Sequence, residues 1–228
     1  MKRPDNHPET GIPAERAPET EVRRALAEVR ERGGAFIPGF LDVAAVDALR
    51  AEVSGSEFEW QEQRYLKAEQ RIASYVVTPP FGGYPLLESV GRRLTDVYRT
   101  AEPPITGSER YVPDHVSVHR YPPGDVGITP HYDEKRYGFL VASLTLEGSA
   151  TFSIVEDPDP KRTLPDDQVL AARLQAPLLE SWQTGPGDLV LLRAPGFDGA
   201  PDGRPLHQVS GGKDGFRTAL VYRMSAGQ

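Results

Sequence analysis

The sequence predicts a mainly β protein with supporting α-helices, its strands gathered into a sandwich or barrel in the C-terminal half. Helical apolar spacing is confined to the first 100 or so residues. From about residue 111 the texture becomes short alternating or apolar runs broken by Gly and Pro, which number 22 each over the whole chain, as strands joined by turns require. The 228 residues, 38 % of them hydrophobic, match one domain of ordinary size with a sizeable core.

Residues 1–19 are polar, carry Pro4, Pro8, Pro13 and Pro18, and show no apolar period. Such a stretch buries too little surface to offset its ordering entropy and reads as a loose tail. A single domain is expected over 20–228, with helical support over 20–100 and a β core over about 111–224. Val22, Leu26 and Val29 recur at helical spacing until Gly33-Gly34. Ala35-Phe36-Ile37-Pro38 reads as a short strand, and Asp42 caps a second helix, reaching Val53, that buries Val43, Val46 and Leu49. Arg71 to Val77 is a strand candidate. Pro85 opens a third helix with Leu87, Val90, Leu94 and Val97 on its apolar stripe. The later strands are expected at Val116–Val118, Phe139–Leu146, Thr151–Val155, Leu178–Trp182, Leu189–Leu192, Leu206–Val209 and Phe216–Met224, so the helices pack on one face of the sheet. The polar stretch Glu156 to Asp167 is a surface excursion or a lid.

Composition removes several function classes. With no cysteine, thiolate zinc, iron–sulfur and disulfide chemistry are gone, and any metal must sit on nitrogen and oxygen. A net charge of −7 without a lysine run argues against a nucleic-acid partner. No apolar stretch approaches the roughly 18–20 residues of a spanning helix, so no membrane association is expected. The N-terminal residues lack the apolar segment of a secretory leader, which makes the cytoplasm the expected compartment.

There are five histidines, at 7, 115, 119, 131 and 207. In His131-Tyr132-Asp133 the imidazole and the carboxylate lie two residues apart, and on an extended backbone they point to one side. His207, inside a strand candidate, is a possible third ligand. Two imidazoles and one carboxylate form a facial triad suited to Fe(II) with open positions. A hydrogen-bonded surface motif is the plain alternative for His-x-Asp on its own. Arg217, ten residues after His207, shares one strand face with Ala219 and Val221. A guanidinium buried there requires an anion, supplied by a protein carboxylate or a bound dicarboxylate, unless that face is exposed.

Upstream stand Tyr121-Pro122-Pro123 and Gly127-Ile128-Thr129-Pro130-His131-Tyr132-Asp133. Together with the distant His207 and Arg217, this set resembles the Fe(II)- and 2-oxoglutarate-dependent dioxygenases. The resemblance covers roughly residues 111–224 and implies a double-stranded β-helix (jelly-roll, cupin-like) core. It implies that His131, Asp133 and His207 hold iron, with Arg217 on the distal carboxylate of 2-oxoglutarate and Tyr121 donating its phenol to the same cosubstrate. Relatives often have Ser where this chain has Ala219, so Thr218 is a candidate for the missing hydroxyl. His119 stands where some relatives have Asn, and is a candidate contact to cosubstrate or substrate, or a satisfied core histidine, the reading preferred for His115.

The resemblance further implies consumption of O2 and 2-oxoglutarate and oxidation of a C–H bond in a small molecule. A natural-product pathway, with hydroxylation or oxidative ring closure of, for example, a sugar-derived metabolite, is the expected setting. Asp133 disfavours halogenation, since related halogenases replace that carboxylate. Phe139, Trp182, Tyr132 or the 156–167 loop is expected to exclude water, while Arg120, Lys135, Arg136 and Arg193 are available near the site. The rival readings are a cupin-type metal enzyme or metal-dependent sugar-binding module without 2-oxoglutarate, and a nucleic-acid demethylase of the same superfamily, weakly suggested by Tyr121-x-x-Gly124. Oligomeric state is not legible.

Overall fold

The computed structural model describes residues 19–54, 59–65, 68–124, 126–212 and 215–226. The expected tail lies outside them except for Glu19, the first residue of helix α1 (Glu19–Arg32). That helix buries Val22, Leu26 and Val29 and ends at Gly33, whose φ of +88° is open to glycine at little cost. Strand β1 (Gly34–Ile37) leads to α2 (Val43–Ser54), where Asp42 Oδ1 accepts the Ala45 N–H at 2.8 Å as an N-cap. Contrary to the apolar pattern, Val43 is exposed; the inward set is Ala45, Val46, Leu49 and Val53. Strands β2 (Glu59–Tyr65) and β3 (Ala68–Val77) pair as a hairpin. Helix α3 (Pro85–Arg99) starts at the expected proline, and Glu52 of α2 caps it from outside, accepting the Leu86 and Leu87 N–H groups at 2.9 Å each.

Strands β4 (His115–Tyr121), β5 (Val126–His131), β6 (Tyr137–Glu147) and β7 (Ala150–Val155) precede a fourth helix, α4 (Asp166–Gln175). Then come β8 (Leu178–Thr184), β9 (Leu189–Arg193), β10 (Leu206–Ser210) and β11 (Arg217–Ser225). The polar stretch after β7 therefore ends at Pro165, and α4 and β2 are elements the apolar patterning does not reveal.

The antiparallel ladder runs β1-β9-β6-β11-β4-β3-β5-β10-β7-β8, with β2 beside β3. It turns between β3 and β5, which share one register pair, Gln70 with Ile128. This separates a larger leaf ending at β3 from a smaller leaf of β5, β10, β7 and β8. Alternation along the strands then defines two cores. Leu220 and Tyr222 of β11, Val116 and Val118 of β4, and Leu140 and Leu144 of β6 pack with α1–α3 on the outer face of the larger leaf. Val221, Val141, Val190 and Leu192 face inward to meet Phe152 and Val209 of the smaller leaf. The two leaves thus enclose an interior, as in a jelly roll.

Candidate metal centre and cosubstrate pocket

In the smaller leaf β5 and β10 run antiparallel with His131 and His207 as direct Cα partners, so residues far apart in the chain project side by side. Gly127 makes this pairing possible: a Cβ there would lie 2.7 Å from Ser210 O and 2.9 Å from Val209 O. The two imidazole centroids are 4.3 Å apart. Asp133 follows just beyond β5, and ligand atoms of His131, Asp133 and His207 all lie within 4.8 Å of one another.

The remaining ring nitrogens decide what these imidazoles offer. His131 Nδ1 lies 3.0 Å from Thr129 O and His207 Nδ1 lies 3.1 Å from Pro205 O. A carbonyl only accepts, so each Nδ1 carries the proton and each Nε2 presents a lone pair. Burial lowers the pKa of both rings, that of His131 to about 3, so they stay neutral. Burial alone would raise Asp133, but Arg223 and the two imidazoles outweigh it and hold the carboxyl well below its ordinary range. Two neutral nitrogens and one carboxylate fit a divalent first-row metal with open positions. Phe152 lies parallel to His207, centroids 5.5 Å apart, and shields one flank of the triad.

The second cluster lies on the larger leaf, where β4 and β11 pair Tyr121 directly with Arg217. Arg217 is 2 % exposed. Its Nη2 donates to Thr145 Oγ1 at 3.2 Å, its guanidinium faces the Tyr121 ring, and its Nε has no partner. Among the described residues no carboxylate meets it. Tyr121 Oη lies 3.3 Å from His119 Nδ1, and burial, with Arg223 and Arg217, pushes His119 down to about 3. His119, Tyr121 and Arg217 therefore share the inner wall.

Thr218 is not among them. The alternation that turns Arg217 inward turns Thr218 to the outer face, where its hydroxyl donates to Glu147 Oε2 at 2.9 Å. Other expected neighbours also serve elsewhere. Phe139 belongs to the outer, helix-side core. Arg193 donates to the Gly203 and Arg30 carbonyls, and Lys135 and Arg136 are exposed and paired with Asp202 and Glu134. Arg120 lies over the Phe216 ring. Trp182 packs between Phe36 and Phe152 in the interior. Tyr132 donates to Asp157 Oδ2 at 2.6 Å, tying the loop after β7 to the His131–Asp133 segment. His115 is half-buried, with Nε2 3.2 Å from both Ser117 Oγ and Tyr137 Oη.

Sequence comparison finds no matching family model and no matching curated protein. Comparison of folds is more informative. A prolyl-4-hydroxylase from Pseudomonas putida superimposes with a TM-score of 0.52 at 14 % identity, over 90 % of this chain and 100 % of that one. The double-stranded β-helix of 2OG-Fe(II) oxygenases is the fold of this chain. The epimerase SnoN, in complex with Fe3+, alpha ketoglutarate and nogalamycin RO, gives 0.56 at 16 % identity over 90 % of this chain and 84 % of its own. HygX from Streptomyces hygroscopicus, with nickel, 2-oxoglutarate and hygromycin B bound, gives 0.53 at 14 % identity over 88 % and 86 %. Among the described residues no helix is long and apolar enough to cross a membrane.

Proposed function

We propose that the protein is a non-haem Fe(II)- and 2-oxoglutarate-dependent dioxygenase acting on a C–H bond of a small molecule. The observation that carries this reading is Arg217, a buried guanidinium on the inner wall with no acidic partner among the described residues. An uncompensated buried cation is costly, and a dicarboxylate ligand removes the cost. A cupin-type metal enzyme or sugar-binding module accounts for the triad but gives Arg217 nothing to hold.

In this reading His131 and His207 bind the ferrous ion through Nε2 and Asp133 through a carboxylate oxygen. Arg217 pairs with the distal carboxylate of 2-oxoglutarate, while Thr145 orients the guanidinium. Tyr121, kept protonated by burial, donates its phenol beside it, with His119 setting the direction of that hydroxyl. Bound iron and 2-oxoglutarate supply, with O2, the oxidising power for the C–H bond, and the cosubstrate leaves as succinate and carbon dioxide. Phe152, stacked on His207, keeps water from that flank of the triad, which strengthens the charge interactions inside. Asp133 occupies the position a halide would need, so hydroxylation, ring closure or epimerisation is favoured over halogenation.

A natural-product substrate is supported by the small molecules bound to SnoN and HygX. The acidic net charge of −7 weighs against a nucleic-acid substrate. The test is conversion of 2-oxoglutarate to succinate by purified protein with Fe(II) and ascorbate, without added substrate. Slow turnover, abolished in Asp133→Ala and Arg217→Met, is expected. Metal-loaded protein that neither binds nor consumes 2-oxoglutarate would move the assignment to a cupin-type metal protein.

A further inference from the structure

We infer that Arg223 is a positioning residue of the metal centre, which selects the oxygen of Asp133 that faces the ion and keeps that carboxylate a one-oxygen ligand. The inference rests on the metal-site reading above.

Arg223 lies on β11, on the same inner face as Arg217, Ala219 and Val221. Its Nη2 donates to Asp133 Oδ1 at 3.0 Å and its Nη1 donates to Ser117 Oγ at 3.0 Å. The guanidinium carbon sits 5.0 Å from the Tyr137 ring centroid. Ser117 is fixed in turn by His115 Nε2, 3.2 Å away, and that nitrogen lies 3.2 Å from Tyr137 Oη. The arginine is therefore oriented from several sides, its side chain 12 % exposed and that of Asp133 10 %. Arg204 Nη1 donates to the Asp133 carbonyl and holds the backbone there.

The two carboxylate oxygens of Asp133 consequently differ. Oδ1 is held by Arg223, whereas Oδ2 lies 3.6 Å from His207 Nε2, beside the lone pair that faces the metal position. An oxygen already bonded to a guanidinium cannot also ligate a dication without bringing two positive centres together at low dielectric. Asp133 therefore ligates through Oδ2 alone. The consequence is a count of positions. A six-coordinate ion with three protein donors keeps three sites, enough for a chelating 2-oxo acid and one more ligand. A carboxylate free to turn and bind through both oxygens would take a fourth.

The experiment replaces iron by Co(II) and records the visible absorption of wild type, Arg223→Met, Arg223→Lys and Arg217→Met during titration with 2-oxoglutarate. Folding of each variant is checked by thermal melting. Arg223→Met is expected to shift the cobalt bands before cosubstrate is added, because the freed carboxylate changes the number of oxygens around the ion. Arg223→Lys, whose ammonium still reaches for Oδ1, recovers most of the wild-type spectrum. Arg217→Met keeps the cobalt spectrum and loses the response to 2-oxoglutarate. Wild-type bands in Arg223→Met would overturn the inference, and if that variant does not fold, a shifted spectrum in Arg223→Lys would overturn it as well. Failure of the wild type to bind Co(II) would overturn the metal-site reading itself.

Discussion

Tyr121 and Arg217 are direct Cα partners across the β4–β11 ladder, and the guanidinium carbon lies 5.6 Å from the centre of the phenol ring. Among the described residues no carboxylate pairs with that guanidinium. Arg217→Met should therefore abolish 2-oxoglutarate binding to metal-loaded protein while leaving the fold intact or more stable, because an uncompensated buried charge is removed. Calorimetric titration and thermal melting read the two effects. A variant that unfolds, or one that still binds the cosubstrate at wild-type affinity, contradicts this role.

The metal-free protein should lose stability on acidification. His119 and His131 fall from 6.5 to about 3, first through burial, and His207 is lowered for the same reason. Between about pH 6.5 and pH 3 the unfolded chain binds protons at these rings that the folded chain refuses, so unfolding gains as pH drops. Asp133, depressed in the fold, adds its own loss once the pH passes below the ordinary carboxylate range. Melting temperatures measured with chelator should fall steadily from pH 7.5 to pH 4.5. A flat profile would mean that these imidazoles are not buried as described.

Gly127→Ala should destabilise the protein by about 1–3 kcal/mol, the usual cost of overpacking. The added methyl meets the Ser210 and Val209 carbonyls at the point where β5 approaches β10. Because that approach also brings His131 opposite His207, metal affinity should fall with stability. Chemical denaturation and Co(II) titration measure the pair of effects.

Glu52→Ala should cost about 1–2 kcal/mol, as for loss of an N-terminal cap on a helix. Its carboxylate serves two N–H groups of α3 on the outer side of the larger leaf, away from the interior. Denaturation should register the change, whereas Co(II) binding should not.

Tyr132→Phe removes the hydroxyl that bonds Asp157 and should loosen the segment between β7 and α4. Lys161 and Arg162 are exposed there. Limited trypsin digestion should cut at these residues several times faster in the variant, with metal affinity unchanged.

The triad was legible because period-two alternation and spacing suffice to bring His131, Asp133 and His207 to one side, once β5 and β10 are neighbours. The same alternation accounts for Arg217, and applied one residue further it excludes Thr218. Carried two residues beyond Val221, it reaches Arg223, whose importance depends on a contact with Asp133 that no local pattern encodes. Strand β2 stays hidden because Glu59-Trp60-Gln61-Glu62-Gln63-Arg64-Tyr65 has no apolar alternation. Helix α4 stays hidden for a different reason: it buries only Val169 and Arg173, so an arginine among aromatic and charged neighbours replaces the usual apolar stripe. Phe152 reads as an ordinary core residue until His207 is found against its ring.

The turn of the ladder between β3 and β5 puts His131 and His207 on one leaf and Arg217 on the other. Under the proposed function, a diacid gripped at both ends would span the gap between them. The width of that gap acts as a ruler: homologues of 2-oxoglutarate shorter or longer by one methylene would reach one leaf and miss its opposite.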